Sequence, residues 1–197
     1  MRFILGAPCS GKGTLGMYLK KINSKFVFLS AGNILREMCQ DEKYAHLKEI
    51  LDSGGMVNTH LIGDILMEKA KSFDFNVFID GFPRTVEQAV FIIDFMKKNN
   101  IKSQGIFCIS TNLENLIERT QKRQFCFACQ NTHSDEIICC EEKTSRRKDD
   151  NIPTLMKRLK IYNQDIQEIL NILCGPIFFI DNNGNIDSIL ENIKLFL

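Results

Sequence analysis

Residues Gly6-Ala7-Pro8-Cys9-Ser10-Gly11-Lys12-Gly13-Thr14 follow the apolar run Phe3–Leu5, and no other stretch of this chain limits its fold as tightly. Glycines let a backbone wrap close to an anion with its N–H groups turned inward, the helix that follows offers its positive end, and Lys12 adds a full charge. The stretch therefore predicts a strand that ends in a phosphate-cradling loop, with an amphipathic helix behind it. A Gly-rich turn before an ordinary helix would not need the short apolar strand that precedes this one. The usual loop has Ser or Thr directly after the lysine, whereas here Gly13 intervenes and Thr14 comes next. Cys9 reads either as a small packed residue or as an oxidisable thiol. Free cysteine behaves as a small hydrophobe, so packing is the expectation.

Apolar runs of strand length recur at Phe3–Leu5, Phe26–Leu29, Val77–Ile79, Ile106–Ile109 and Ile177–Ile180, with helical patterns between them. Short buried strands alternating with helices predict an α/β fold of three layers, a five-stranded parallel sheet covered on both faces. At 197 residues and 44% hydrophobic content, one core with inserted flaps fits better than two independent domains. In the last long helix Leu155, Leu159, Tyr162, Ile166, Ile169 and Leu173 step by three or four residues. Asp149 or Asp150 is expected to cap its start, Pro153 to sit in its first turn, and Gly175-Pro176 to end it. Open sheets of this kind bind ligands beyond the carboxyl ends of their strands, so the residues just after each strand should hold the chemistry.

A net charge of +1 gives no basic field to hold a nucleic-acid polymer. The N-terminus enters a strand without a signal-like region, and nowhere do about eighteen apolar residues run together, so a soluble cytoplasmic protein with no membrane partner is expected. Of eight cysteines, Cys126, Cys129, Cys139 and Cys140 crowd together. In a reducing compartment such a cluster points to metal rather than disulfides. His46 and His60 lack partners at metal spacing and read as surface or packing residues, and Phe91 with Phe95 as core.

After the second strand, Ser30-Ala31-Gly32-Asn33-Ile34-Leu35-Arg36 reads as a capped helix start with an arginine one turn in. After the third comes Asp80-Gly81-Phe82-Pro83-Arg84-Thr85, with Gln88 close behind. Asp80 ends a buried strand facing the phosphate loop, where a carboxylate can hold water on Mg²⁺. Gly81 permits close backbone approach, and Arg84 offers a planar fork to phosphate. Arg119 and Arg123 lie four residues apart, where like charges on one helix face repel by about 0.2–0.5 kcal/mol; an anion between them reverses the sign. Arg147 and Arg158 would join them once the irregular segment Gln124–Arg146 folds over the site.

In order and spacing these stretches resemble the adenylate kinase family over essentially the whole chain. G-K-G-T is how nucleoside-monophosphate kinases write the phosphate loop, and D-G-F-P-R-T together with Arg147-Lys148-Asp149-Asp150 is specific to this family. The resemblance implies a P-loop kinase, most often a monomer, that reversibly transfers the γ-phosphoryl group of Mg²⁺-ATP to AMP to give two ADP. It implies a core of residues 1–29, 60–123 and 148–197, a monophosphate-binding flap at 30–59 and a lid at 124–147. By the same resemblance Cys9, Ser10, Gly11, Lys12, Gly13, Thr14, Arg119, Arg123, Gly184 and Asn185 hold ATP. Ala31, Arg36, Gly55, Met56, Val57, Gly81, Phe82, Pro83, Arg84, Gln88, Arg147 and Arg158 hold AMP. Catalysis falls to Lys12, Asp80, Arg84, Arg119, Arg123, Arg147 and Arg158. The acceptor phosphate is ionised near neutral pH, so positioning and charge neutralisation do the work and no general base is needed.

Gln88 presents a donor and an acceptor to a base edge, which suits adenine. Family members that take AMP usually have threonine where this chain has Ala31, and alanine there resembles the UMP-CMP kinases. Thr85, Gln88 and the length of the lid resemble the AMP enzymes, so AMP is expected and UMP-CMP kinase is the alternative. Asn33 stands where aspartate is usual. A non-catalytic nucleotide sensor would keep the loop but could lose the clamp arginines, which are all present. Cys126-x-x-Cys129 followed by Cys139-Cys140 resembles the zinc-bearing lids of some bacterial members, with the second half shortened to adjacent cysteines. Neighbours in an ordinary backbone rarely aim both sulfurs at one tetrahedral ion. His133, Asp135 and Glu142 are therefore also candidate ligands, and a lid of free thiols is the alternative to zinc.

Overall fold

The computed structural model describes residues 1–129, 131–134 and 136–184. β1 (Arg2–Gly6) leads through the glycine-rich loop into α1 (Lys12–Ile22), followed by β2 (Val27–Ser30) and α2 (Ala31–Met38). A 3₁₀ turn, α3 (Leu47–Asp52) and α4 (Thr59–Lys71) precede β3 (Val77–Asp80), α5 (Val86–Lys98), β4 (Gly105–Ser110) and α6 (Leu113–Lys122). Four two-residue strands come next: β5 (Gln124–Phe125), β6 (Thr132–His133), β7 (Ile138–Cys139) and β8 (Glu142–Lys143). α7 (Ile152–Ile172) and β9 (Ile177–Asp181) complete the described chain.

The five long strands form one parallel sheet in the order β2-β3-β1-β4-β9, as the alternation of apolar runs predicts. Side chains alternate across each strand, and the core divides accordingly. Phe3, Leu5, Ile79, Ile106 and Cys108 face α4, α5 and α7 through Ile62, Leu66, Ile92, Met96 and Ile169. Ile4, Phe78, Phe107, Ile109 and Ile180 face α1 through Leu15 and Leu19. A smaller cluster of Ala7, Leu116 and Leu155 joins the loop after β1 to α6 and α7. Because every strand runs the same way, Gly6, Ser30, Asp80, Ser110 and Asp181 end at one edge. Strand order reverses at β1, between β3 and β4, which is where such sheets leave a crevice.

Several local expectations are corrected. β2 starts one residue late because Phe26 closes a turn onto the Asn23 carbonyl and sets its ring edge-on to Phe78. α7 is capped by Asn151, whose Oδ1 accepts from the Thr154 N–H at 2.9 Å. Asp149 and Asp150 do not cap it, since arginines take their carboxylates and charge-assisted bonds are stronger. α7 stops at Ile172, because Leu173 is already extended, rather than reaching Gly175. The described part of 124–147 holds two small antiparallel ribbons, β5–β6 and β7–β8, with a Phe125–Ser145 bridge at its base. His60 is exposed and lies edge-on to Phe91, and Phe91 and Phe95 pack against the larger core cluster. Among the described residues no helix is long and apolar enough to cross a membrane.

Candidate active site

Gly11 is the N-cap of α1 at φ 95°, a backbone conformation that residues with a Cβ rarely adopt, and a Cβ there would lie 2.3 Å from the Asn182 amide. Among the described residues no side chain caps this helix, no acidic residue stands in its first turn, and its first residues line a cleft, which makes its N-terminus a ready anion site. Lys12 Nζ donates to the carbonyls of Gly6 at 2.9 Å and Ala7 at 2.7 Å. Burial pushes the Lys12 pKa down to about 8 against the opposing pull of Asp80. Cys9 is half-buried against the Ala7, Leu116 and Leu155 cluster and accepts from the Thr120 hydroxyl at 3.1 Å, in keeping with a packed thiol. It does so at φ 61°, a conformation that costs a residue with a Cβ about 1–2 kcal/mol.

Above the loop a cleft of 1070 Å³ opens along the carboxyl edge of the sheet. That is just over the range of about 300–1,000 Å³ usual for a single small ligand. Cys9, Gly11, Lys12, Gly13, Thr14, Arg119, Arg123 and Gly184 line it, together with Ala31, Arg36, Gly55, Met56, Val57, Gly81, Phe82, Pro83, Arg84, Gln88, Arg147, Arg158 and Asp80. Asp80 accepts from the Ser30 hydroxyl at 3.3 Å through Oδ2, while its Oδ1 is buried with no partner among the described residues. Ser30 thus stands at the N-cap of α2 without capping it. A carboxylate oxygen without a partner among the described residues, in the cleft that Lys12 and Thr14 also line, suits a hydrated Mg²⁺ ion.

The cations are arranged by two neighbouring aspartates. Asp149 Oδ2 accepts from Arg158 Nη1 at 2.6 Å and Arg36 Nη2 at 3.4 Å. Asp150 receives a two-pronged contact from Arg123, with Nε at 2.9 Å and Nη2 on the other oxygen. The Arg147 guanidinium lies 3.6 Å over the ring of buried Phe125, with Arg36 5.9 Å from the same ring. Burial, then Arg36 and Arg123, push the Arg147 pKa down. Burial and then Arg158 do the same to Arg84, which solvent reaches through the cleft mouth. Arginine does not surrender its proton at working pH, so the result is stored repulsion that a bound anion relieves. Arg119 Nη1, Arg147 Nε and Arg158 Nε are each buried without an acceptor among the described residues. Arg119 and Arg123 do not share a face unopposed, because Arg123 leaves the helix as its C-cap to meet Asp150 while Arg119 turns to Asn182.

Not every expected residue reaches the cleft. Ser10 is fully buried beneath the loop and contributes its carbonyl to Asn182 and Thr111. Asn185 lies outside the described residues. The cleft also holds residues the motifs did not signal: Asn182 and Asn183 after β9, and Thr132 and His133 of β6. The rule that ligands gather beyond strand ends could have found the asparagines.

The four cysteine sulfurs lie within 4.8 Å of one another, Cys129 to Cys139 at 3.6 Å and Cys139 to Cys140 at 3.9 Å. Four sulfurs at about 2.3 Å from a zinc ion stand about 3.8 Å apart on a tetrahedron. Adjacent cysteines manage this because Cys140 and Glu141, at φ 52° and 65°, form the two-residue turn of the β7–β8 hairpin and swing the second sulfur back. His133 lines the cleft and Glu142 pairs in the hairpin, so neither belongs to the sulfur cluster; Asp135 lies outside the described residues.

A model of the adenylate kinase family matches residues 4–174. The chain is similar to the adenylate kinase of Clostridium novyi, 29% identical over 98% of this chain and 97% of that protein. It is also similar to those of Thermotoga petrophila, 27% identical over 96% and 93%, and Mesomycoplasma hyopneumoniae, 27% identical over 98% and 96%.

Proposed function

This chain belongs to the adenylate kinase family, whose reaction is reversible phosphoryl transfer from ATP to AMP, and from that premise we propose how its residues divide the work. The observation that supports the division is the gathering of six arginines and Lys12 around one cleft, three of the arginines keeping a buried donor without an acceptor among the described residues. ATP lies with its phosphates on the 9–14 loop and α1, clamped by Arg119 and Arg123, and its base lies toward Gly184 and Asn185. AMP lies against Ala31, the backbone of Gly55 to Val57, and Gln88, with its phosphate among Arg36, Arg84, Arg147 and Arg158. Residues 30–59 act as the flap over AMP and 124–147 as the lid over ATP.

An oxygen of the AMP phosphate forms a bond to the γ-phosphorus as the bond from that phosphorus to the bridging oxygen of the departing ADP breaks. The acceptor is already anionic, since a phosphate monoester has its second pKa near 6, so no proton need move. Lys12, Arg84 and Arg123 meet the negative charge spread over the transferring group. Gly81 at φ 75° brings its backbone close, with its carbonyl accepting from Arg84 Nε at 2.9 Å, which fixes that fork before substrate arrives. Mg²⁺ carried in with ATP supplies further neutralisation of phosphate charge, and Asp80 with Thr14 are the residues to hold it. Closing the lid excludes the water that would turn transfer into hydrolysis. Zn²⁺ bound by Cys126, Cys129, Cys139 and Cys140 supplies structural cross-linking to a lid with few apolar residues. The enzyme works in the cytoplasm as a monomer.

Gln88 supports adenine as the acceptor base, while Ala31 favours a second reading as a UMP-CMP kinase. Coupled ADP formation from ATP and each of AMP, CMP, UMP and GMP in competition separates them. AMP preference is expected, clear CMP preference overturns it, and binding of nucleotides without any turnover marks a sensor.

A further inference from the structure

Asn182 stands one residue past β9 and is 3% exposed, yet it makes four directed hydrogen bonds. Its N–H donates to the Ser110 carbonyl at 2.9 Å, which locks it to the end of β4. Its side-chain Nδ2 donates to the Ser10 carbonyl at 2.6 Å, inside the phosphate loop. Its Oδ1 and its backbone carbonyl both accept from Arg119 Nη2, at 3.2 and 2.9 Å. The other end of that guanidinium, Nη1, is buried without an acceptor among the described residues. A Cβ built on Gly11 would come 2.3 Å from the Asn182 amide and 3.9 Å from Nη1, so the free end lies beside the loop.

We propose that Asn182 is a positioning residue for ATP: it pins the phosphate loop at Ser10 and one end of Arg119, so that the other end of Arg119 is held out to the triphosphate. A guanidinium is rigid and planar, so fixing Nη2 by two acceptors fixes the direction of Nη1. A buried donor left empty is costly, and an anionic oxygen on the loop removes that cost. One amide can do both jobs because it offers a donor and an acceptor at once. Aspartate keeps the contact to Arg119 but turns a carboxylate oxygen toward the Ser10 carbonyl.

The inference rests on the reading that the 9–14 loop takes ATP, and the test separates the two. Calorimetric ATP binding and steady-state KM for each nucleotide are measured for wild type, Asn182→Ala, Asn182→Asp, Arg119→Ala and the Asn182→Ala, Arg119→Ala pair. Asn182→Ala is expected to weaken ATP about tenfold, the loss of one hydrogen bond to a charged group, with KM for AMP within about twofold. Asn182→Asp loses as much, and in the Arg119→Ala background Asn182→Ala costs markedly less than on its own. Unchanged ATP binding, equal losses for both nucleotides, or full additivity in the pair overturns the inference. If Asn182→Ala does not fold, Asn182→Ser replaces it in the same comparison. A wild-type protein that binds no ATP overturns the underlying reading instead.

Discussion

Replacing Asp149 by asparagine keeps the shape of the side chain and removes the charge between two guanidiniums. In the native protein burial alone would raise the carboxyl pKa, but Arg158 and Arg36 overcome it and hold it below the usual carboxylate range. The Asp149 side chain is 5% exposed, Arg158 15% and Arg36 23%, so solvent screens the network poorly. Removing one partner from a buried ion pair costs about 3–5 kcal/mol, and the partial exposure of Arg36 favours the lower end. For a chain of this size about 3 kcal/mol lowers Tm by about 6–12 °C. Thermal unfolding followed by circular dichroism at pH 7 reads this directly. With saturating AMP the deficit should shrink by half or more, because the phosphate brings a charge to the same arginines. The wild-type advantage is present above the unfolded carboxylate pKa of about 3.9 and disappears as pH falls through the lower folded value. Unfolding midpoints should therefore differ by a constant amount from pH 5 to 8 and converge in acid. A deficit below 2 °C, or one that AMP leaves untouched, refutes the reading that Asp149 is the counter-charge arranging Arg158 and Arg36 at the AMP phosphate site.

Burial pushes the Lys12 pKa down to about 8, and the amine must be charged to hold a triphosphate, so ATP affinity is expected to fall as pH rises through about 8. Arginines do not titrate there, which leaves AMP affinity flat; a level ATP profile from pH 7 to 9.5 contradicts this. Gly11→Ala forces a Cβ into a left-handed backbone position 2.3 Å from the Asn182 amide and should cost about 2 kcal/mol or more, seen as a Tm drop of about 4–8 °C together with loss of ATP binding. Carefully purified protein should carry one zinc per chain by metal analysis. Chelation should lower its Tm, and Cys140→Ser should hold much less metal; a substoichiometric trace in the wild type ends the zinc proposal.

The motifs with strict local geometry are legible in the sequence alone: the phosphate loop, the strand ends, and Asp80 to Arg84. Their residue types are demanded by backbone conformation or charge wherever they fall. What escaped reading depends on partners distant in sequence. Asp149 looks like a helix cap beside Pro153, and only the approach of Arg36, 113 residues away, turns it into an ion-pair hub. Asn182 is one asparagine in the run Asn182-Asn183-Gly184-Asn185, and nothing local distinguishes it from a turn residue. The adjacent cysteines looked unable to share an ion because sequence does not announce two successive left-handed residues other than glycine or asparagine. Phe125 reads as another apolar residue, although its ring carries Arg147.

Asp149 and Asp150 are joined by one peptide bond, yet they fasten different machinery: the first secures α2 through Arg36, the second secures the root of the ribbon segment through Arg123. If residues 30–59 and 124–147 move as the proposed flap and lid, the two motions share this one joint, and a displacement at either aspartate is passed to its neighbour through a single peptide unit. Any aid the first nucleotide to arrive lends the second through this joint must, by thermodynamic reciprocity, be returned in equal measure when the order of arrival is reversed.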